Sequence, residues 1–142
     1  LHGFELKSDA DTLNRLPSQM KIYNLVFDKI TLVVGKTHLY HSLRIVPDWW
    51  GISLAKYSKD GDIMFCEIRK GSRNPKQDVY SIAALLWRQE ALNILEAMGK
   101  AKGVRAKPRR ILYQRLTELL DEDVLKKKVR EHLCSRKRWR VA

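Results

Sequence analysis

Glu5 and Lys7 stand two residues apart in His2–Lys7, a stretch whose apolar residues alternate with the rest as a strand requires. That spacing puts a carboxylate and an ammonium on one face of the strand. Leu6, between them, is expected to face the opposite side and anchor the strand in the core. Such a pair offers a hard oxygen ligand for Mg²⁺ beside a cation that can hold a water or a phosphate oxygen. It also describes a simple cross-strand ion pair, weak where exposed, and so short a pattern matches by chance. A dozen residues on, Gln19 and Tyr23 are four apart on a predicted helix, so they share a face and can converge on one target. Met20, Ile22, Leu25, Val26 and Phe27 supply that helix's packing residues, whereas Gln19 has no obvious core role.

The surrounding elements must hold these side chains in place. Pro17 suits the first turn of a helix running through Phe27. Lys29–Gly35, "KITLVVG", is nearly continuous in β-branched residues and reads as a strand buried on both faces. "THLYHSLRIVP" predicts a short helix stopped before Pro47. Trp49–Tyr57 and Asp62–Lys70 read as an antiparallel hairpin around the turn Lys59–Gly61. "GSRNPKQD" breaks the pattern, and only helices are expected after it: one over Val79–Gly99, another opened by Pro108, and a third that begins acidic and ends basic. The expected fold is therefore α/β, a mixed central sheet flanked by helices and followed by an all-helical part. The boundary falls between a core of residues 1–74 and a basic helical region of residues 75–142.

The residues so placed resemble a known family. Glu5-Leu6-Lys7 on a strand, then the helix with "QMKIY" and the buried strand "ITLVV", look like the PD-(D/E)XK nuclease superfamily, and the Q-x-x-x-Y element is similar to that of its RecB-type members. "VPDWWGI", "ALLWRQEAL" and "KPRR" extend the likeness, over nearly the whole chain, to a bacterial family of largely uncharacterised nuclease-like proteins. The resemblance implies a restriction-endonuclease-like core hydrolysing DNA phosphodiester bonds with Mg²⁺. Glu5 and the Leu6 carbonyl would hold the metal, Lys7 would position the attacking water, and Gln19 and Tyr23 would orient Lys7 or touch the backbone of the nucleic acid. The superfamily's first Asp has no counterpart in this chain, so the expected site is half of one and the chain as it stands is expected to be incomplete. Asp9 and Asp11 lie beyond the strand end and read as helix caps.

Charge gives an independent indication. The 142 residues carry a net +12, and the imbalance is local: residues 1–99 hold 13 Lys+Arg against 11 Asp+Glu, residues 100–142 hold 15 against 5. Such density attracts a polyanion, because neutralised phosphates release counterions. Lys107, Arg109 and Arg110, the run Lys126, Lys127 and Lys128, and Arg136, Lys137, Arg138 and Arg140 are the expected phosphate contacts, with Trp139 as a stacking surface. The expected partner is nucleic acid, DNA first. A non-catalytic nucleic-acid-binding protein on the same fold, or a module that pairs with a second copy or a protein partner through the C-terminal helices, are the alternatives.

Other signals are weaker. No apolar run is long enough to span a membrane, no secretory leader opens the chain, and two distant cysteines, Cys66 and Cys134, suit a reducing, cytoplasmic setting. His38 and His41 lack a third ligand nearby. Trp49 and Trp50 are expected on opposite sides of a strand, and Trp87 inside a helix core. Walker A, dinucleotide and serine-hydrolase patterns are missing from the sequence.

Overall fold

A computed structural model describes residues 1–137. The chain forms two compact units, Leu1–Gln77 and Asp78–Ala142. The first is α/β, with strands β1 (His2–Lys7), β2 (Lys29–Val34), β3 (Gly51–Tyr57) and β4 (Ile63–Arg69). Helix α1 (Leu16–Val26) joins β1 to β2. A 3-10 turn, Lys36–His38, and helix α2 (Leu39–Ile45) join β2 to β3. The sheet order follows the chain, β1-β2-β3-β4, with the first two pairings parallel and the last antiparallel.

That order decides which face is covered. Parallel crossovers are right-handed, so two successive ones that advance in the same direction place both helices on the same side of the sheet. Leu16, Met20, Tyr23 and Phe27 of the first connection and Leu39, Leu43 and Ile45 of the second accordingly pack on one core with Ile30, Leu32, Val34 and Ile52. The opposite face carries Phe4, Leu6, Tyr57, Ile63 and Phe65, all exposed. β2 is thus buried on one face only: Ile30, Leu32 and Val34 are inside, Thr31 and Val33 half-buried outside.

Local chemistry fixes the joints. Gly3 lets the Phe27 ring approach, since a Cβ there would come within 2.9 Å of Cδ2. Trp50 lies in the turn before β3 rather than in the strand; it is wholly buried, its Nε1–H donates to Asn24 Oδ1 at 2.8 Å, and the Trp49 ring meets its edge. Arg69 on β4 donates to the carbonyls of Trp50 and Pro47, both at 2.8 Å, which holds that turn against the sheet. The last turn of α1 is capped from far along the chain: Asn74 Nδ2 donates to the Asn24 and Phe27 carbonyls and Gln77 Nε2 to that of Val26. These bonds satisfy carbonyls that a helix end leaves without partners.

The second unit is helical: α3 (Val79–Ala83), α4 (Arg88–Ala97), α5 (Arg109–Leu119) and α6 (Glu122–Ser135). The single helix expected over Val79–Gly99 is two. Leu85 and Leu86 close a turn, and Glu90 turns back to accept from the Trp87 backbone N–H at 2.7 Å, which starts α4. Strong helix formers on both sides conceal such a break in the sequence. Gly99, with φ of 67°, ends α4 in the left-handed conformation that glycine adopts cheaply. Ile82, Leu95, Leu112, Leu116, Leu125 and Val129 fill this unit's core, and the Tyr113 hydroxyl donates to the Leu86 carbonyl at 2.6 Å.

Candidate functional site

Glu5, Lys7, Gln19 and Tyr23 do meet, on the covered face of the sheet rather than in solvent. β1 turns Gly3, Glu5 and Lys7 toward the helix layer and leaves Phe4 and Leu6 outside, the reverse of the expectation for Leu6. Lys7 is 5% exposed and Leu6 67%. The inversion follows from the register: Glu5 pairs with Leu32 and Lys7 with Val34, and both partners belong to the core face. A Cβ-free Gly3 and two side chains that ion-pair take the positions under α1, and the apolar residues take the open side.

The polar atoms of the cluster are then paired, with one exception. Lys7 Nζ lies 3.0 Å from Glu5 Oε1. Gln19 Nε2 donates to the same oxygen at 2.9 Å, and the Tyr23 hydroxyl donates to Glu5 Oε2 at 3.0 Å. The helical spacing of Gln19 and Tyr23 thus serves to bring two donors onto one carboxylate. Burial, then the hydrogen bond to Glu5 and its negative charge, push the Tyr23 phenol above its ordinary range. Gln19 Oε1 is the one buried atom of the cluster without a partner. A buried charge requires this kind of satisfaction.

This arrangement presents no ready-made set of oxygen ligands for magnesium. The ion demands near-octahedral oxygen coordination, whereas both oxygens of Glu5 already accept from three donors. No group of three or more His, Cys, Asp or Glu that could hold a metal ion occurs among the described residues. Asp9 and Asp11 are engaged elsewhere: Asp9 accepts from the Thr37 backbone N–H at 2.9 Å, and Asp11 from the Ser8 backbone and hydroxyl at 2.7 and 2.8 Å. Those bonds hold both carboxyls below their usual range.

The expected phosphate contacts fall into three groups. Lys107, Arg109 and Arg110 are exposed around the start of α5, where Pro108 provides no side-chain cap. On α6, Lys127 is exposed, Lys128 half-buried, and Lys126 pairs with Glu122; Lys137 is exposed beyond the helix. Arg136 is committed inward. Its guanidinium meets Glu90 at 2.9 and 2.5 Å, donates to the Leu85 carbonyl at 2.9 Å and lies 4.3 Å over the Trp87 ring. Trp87, expected in a core, is 48% exposed and serves as this platform. Arg138, Trp139 and Arg140 lie outside the described residues. Sequence reasoning missed the Arg136–Glu90 lock, for which 46 residues of separation leave no local signal.

A model of the family described as bacteriophage P4 protein cII matches residues 1–140. The chain is also 28% identical over 99 residues to Protein cII of Enterobacteria phage P4, a stretch covering 70% of this chain and 37% of that protein. This chain thus spans well under half the length of that curated relative. No solved structure matches. These findings correct the assignment to the PD-(D/E)XK superfamily, and with it the expected deoxyribonuclease and hydrolase activity: neither points to a nuclease. The Glu-x-Lys and Gln-x-x-x-Tyr spacings that suggested it are accounted for by a buried ion pair and its two helix-borne donors. The expectation of magnesium came with that resemblance and loses its source. Among the described residues, no helix is long and apolar enough to cross a membrane.

Proposed function

The chain belongs to the bacteriophage P4 cII protein family, and within it we propose that this protein acts by binding nucleic acid, DNA first, through its helical unit, without cutting it. The observation that carries this reading is the cluster Lys107, Arg109 and Arg110. Three exposed cations gather at the N-terminal end of α5, where the helix dipole is itself positive and where the helix's own first turn holds neither an acidic residue nor a side-chain cap. For folding alone that placement is unfavourable. A phosphate relieves it, since the free N–H groups and the guanidinium groups then share one anion. Lys127 and Lys137 add exposed positive charge in the same unit.

Electrostatic contacts of this kind position a protein on a nucleic-acid backbone and carry no sequence information by themselves. Fluorescence anisotropy of a labelled DNA duplex, titrated at several salt concentrations, tests the proposal. Binding that weakens steeply with salt, with the DNA intact after incubation in Mg²⁺, is the expected result. Binding that ignores salt, or no binding at all, sinks it.

A further inference from the structure

We infer that the uncovered face of the four-stranded sheet is a stacking surface for unpaired bases of single-stranded nucleic acid. This inference deepens the nucleic-acid reading above by naming the substrate class, and it places a second contact surface on the first unit.

The face is an anomaly to be explained. Parallel strands are ordinarily covered on both sides, yet both crossovers of this sheet lie on one side. The other side presents Phe4 at 60% exposure, Phe65 at 66% and Tyr57 at 77%, with Leu6 and Val33 between them. Phe4 and Phe65 stand on the two outermost strands. At the usual strand spacing that separates them by about 14 Å across the sheet alone, room for two or three splayed bases. The His2 ring already stacks on Phe4 with centroids 4.3 Å apart, so a planar group is accepted there. At the other end, Leu6, Val33, Ala55, Ile63 and Phe65 floor a concavity of about 650 Å³, within the range of small-ligand sites.

Charge selects among occupants. Glu67 stands exposed on this face opposite Ser53, but Lys36 and Lys56 line that concavity and Lys29 pairs beside His2. None of the three lysines is in an ion pair among the described residues. Asp9 and Asp11 reach the same rim, but their carboxylates are engaged by Thr37 and Ser8. A second copy of the chain would set these same lysines against their own counterparts, whereas a polyanion with planar bases gains from both the rings and the rim.

The test compares a labelled single-stranded oligonucleotide with a duplex of the same sequence, using Phe4→Ala, Phe65→Ala and Phe65→Trp. Both phenylalanines are exposed, so circular dichroism should report unchanged folding. The expected result is a loss of single-strand affinity of about ten-fold for each alanine variant, as for one stacked base. Duplex binding stays unchanged, and Phe65→Trp retains single-strand affinity. Equal single-strand affinity in wild type and both alanine variants overturns the inference. So does sedimentation showing a wild-type dimer that Phe65→Ala converts to monomer, because the face would then be covered by a second copy. Failure of the phosphate reading is separately visible: charge reversal at Lys107, Arg109 and Arg110 would leave duplex binding intact.

Discussion

Lys7 Nζ and Glu5 Oε1 lie 3.0 Å apart beneath α1, and Lys7 is 5% exposed. An ion pair so placed stabilises little against an apolar pair of equal volume, but breaking it is costly, because the surviving charge stays buried. Glu5→Ala should destabilise the first unit by about 3–5 kcal/mol. Lys7→Met with Glu5→Leu should recover most of that loss. Urea denaturation followed by the buried Trp50 decides it: a double variant no better than Glu5→Ala would mean the pair is not the reason.

Tyr23 predicts an alkaline limit. Its phenol is pushed up by burial first and then by Glu5, so the folded state holds the proton more tightly than the unfolded chain does. The stabilisation is complete below the ordinary tyrosine value of 10.0 and fades as pH rises through the higher folded value. Tyr23→Phe should flatten this alkaline limb in thermal melts. An unchanged limb would assign it to other groups.

Glu90 predicts the opposite limb in the helical unit. The hydrogen bond from Arg136 holds its carboxyl below its ordinary 4.5, helped by the Trp87 backbone N–H. Stabilisation is therefore present above that value and lost as pH falls through the lower folded one. Helical circular dichroism under acid titration should show Arg136→Ala and Glu90→Gln losing this pH dependence together.

Asn74 holds the end of α1 across about fifty residues of chain, with separations of 50 and 47 to its two acceptors. Asn74→Ala leaves two carbonyls without their donor and should cost about 2 kcal/mol. Hydrogen exchange at the amides of the last turn of α1 should quicken first.

The basic cluster predicts a slope rather than only an affinity. Replacing Lys107, Arg109 and Arg110 with alanine should lower the slope of log affinity against log salt by about one for each phosphate contact removed. Arg136→Ala, whose guanidinium is turned inward, should leave that slope unchanged while destabilising the helical unit. An equal effect of both variants would argue against α5 as the contact.

Much of the fold is visible in the chain itself. Strand positions in the first unit, the antiparallel hairpin around Gly61, Pro17 inside the first turn of α1 and Pro108 at the start of α5 all follow from local patterns. So does the convergence of Gln19 and Tyr23, because helical spacing is a local property. Which side of β1 is inside is not local. Alternation distinguishes two faces without saying which one is covered, and the direction of the β1-α1-β2-α2-β3 winding put Glu5 and Lys7 inside. A charged pair expected in solvent is thereby a satisfied buried cluster, and Leu6, expected in a core, joins Phe4 on an open surface. Charge density alone also put Arg136 on the surface, where only the fold, bringing Glu90 and Trp87 to meet it, turns it inward. The sequence by itself determined the elements, the helix face shared by Gln19 and Tyr23 and the basic character of the C-terminal part, because each is set by neighbours along the chain. The tertiary structure alone decided which charges are buried and which apolar residues are not, because burial depends on what packs from a distance.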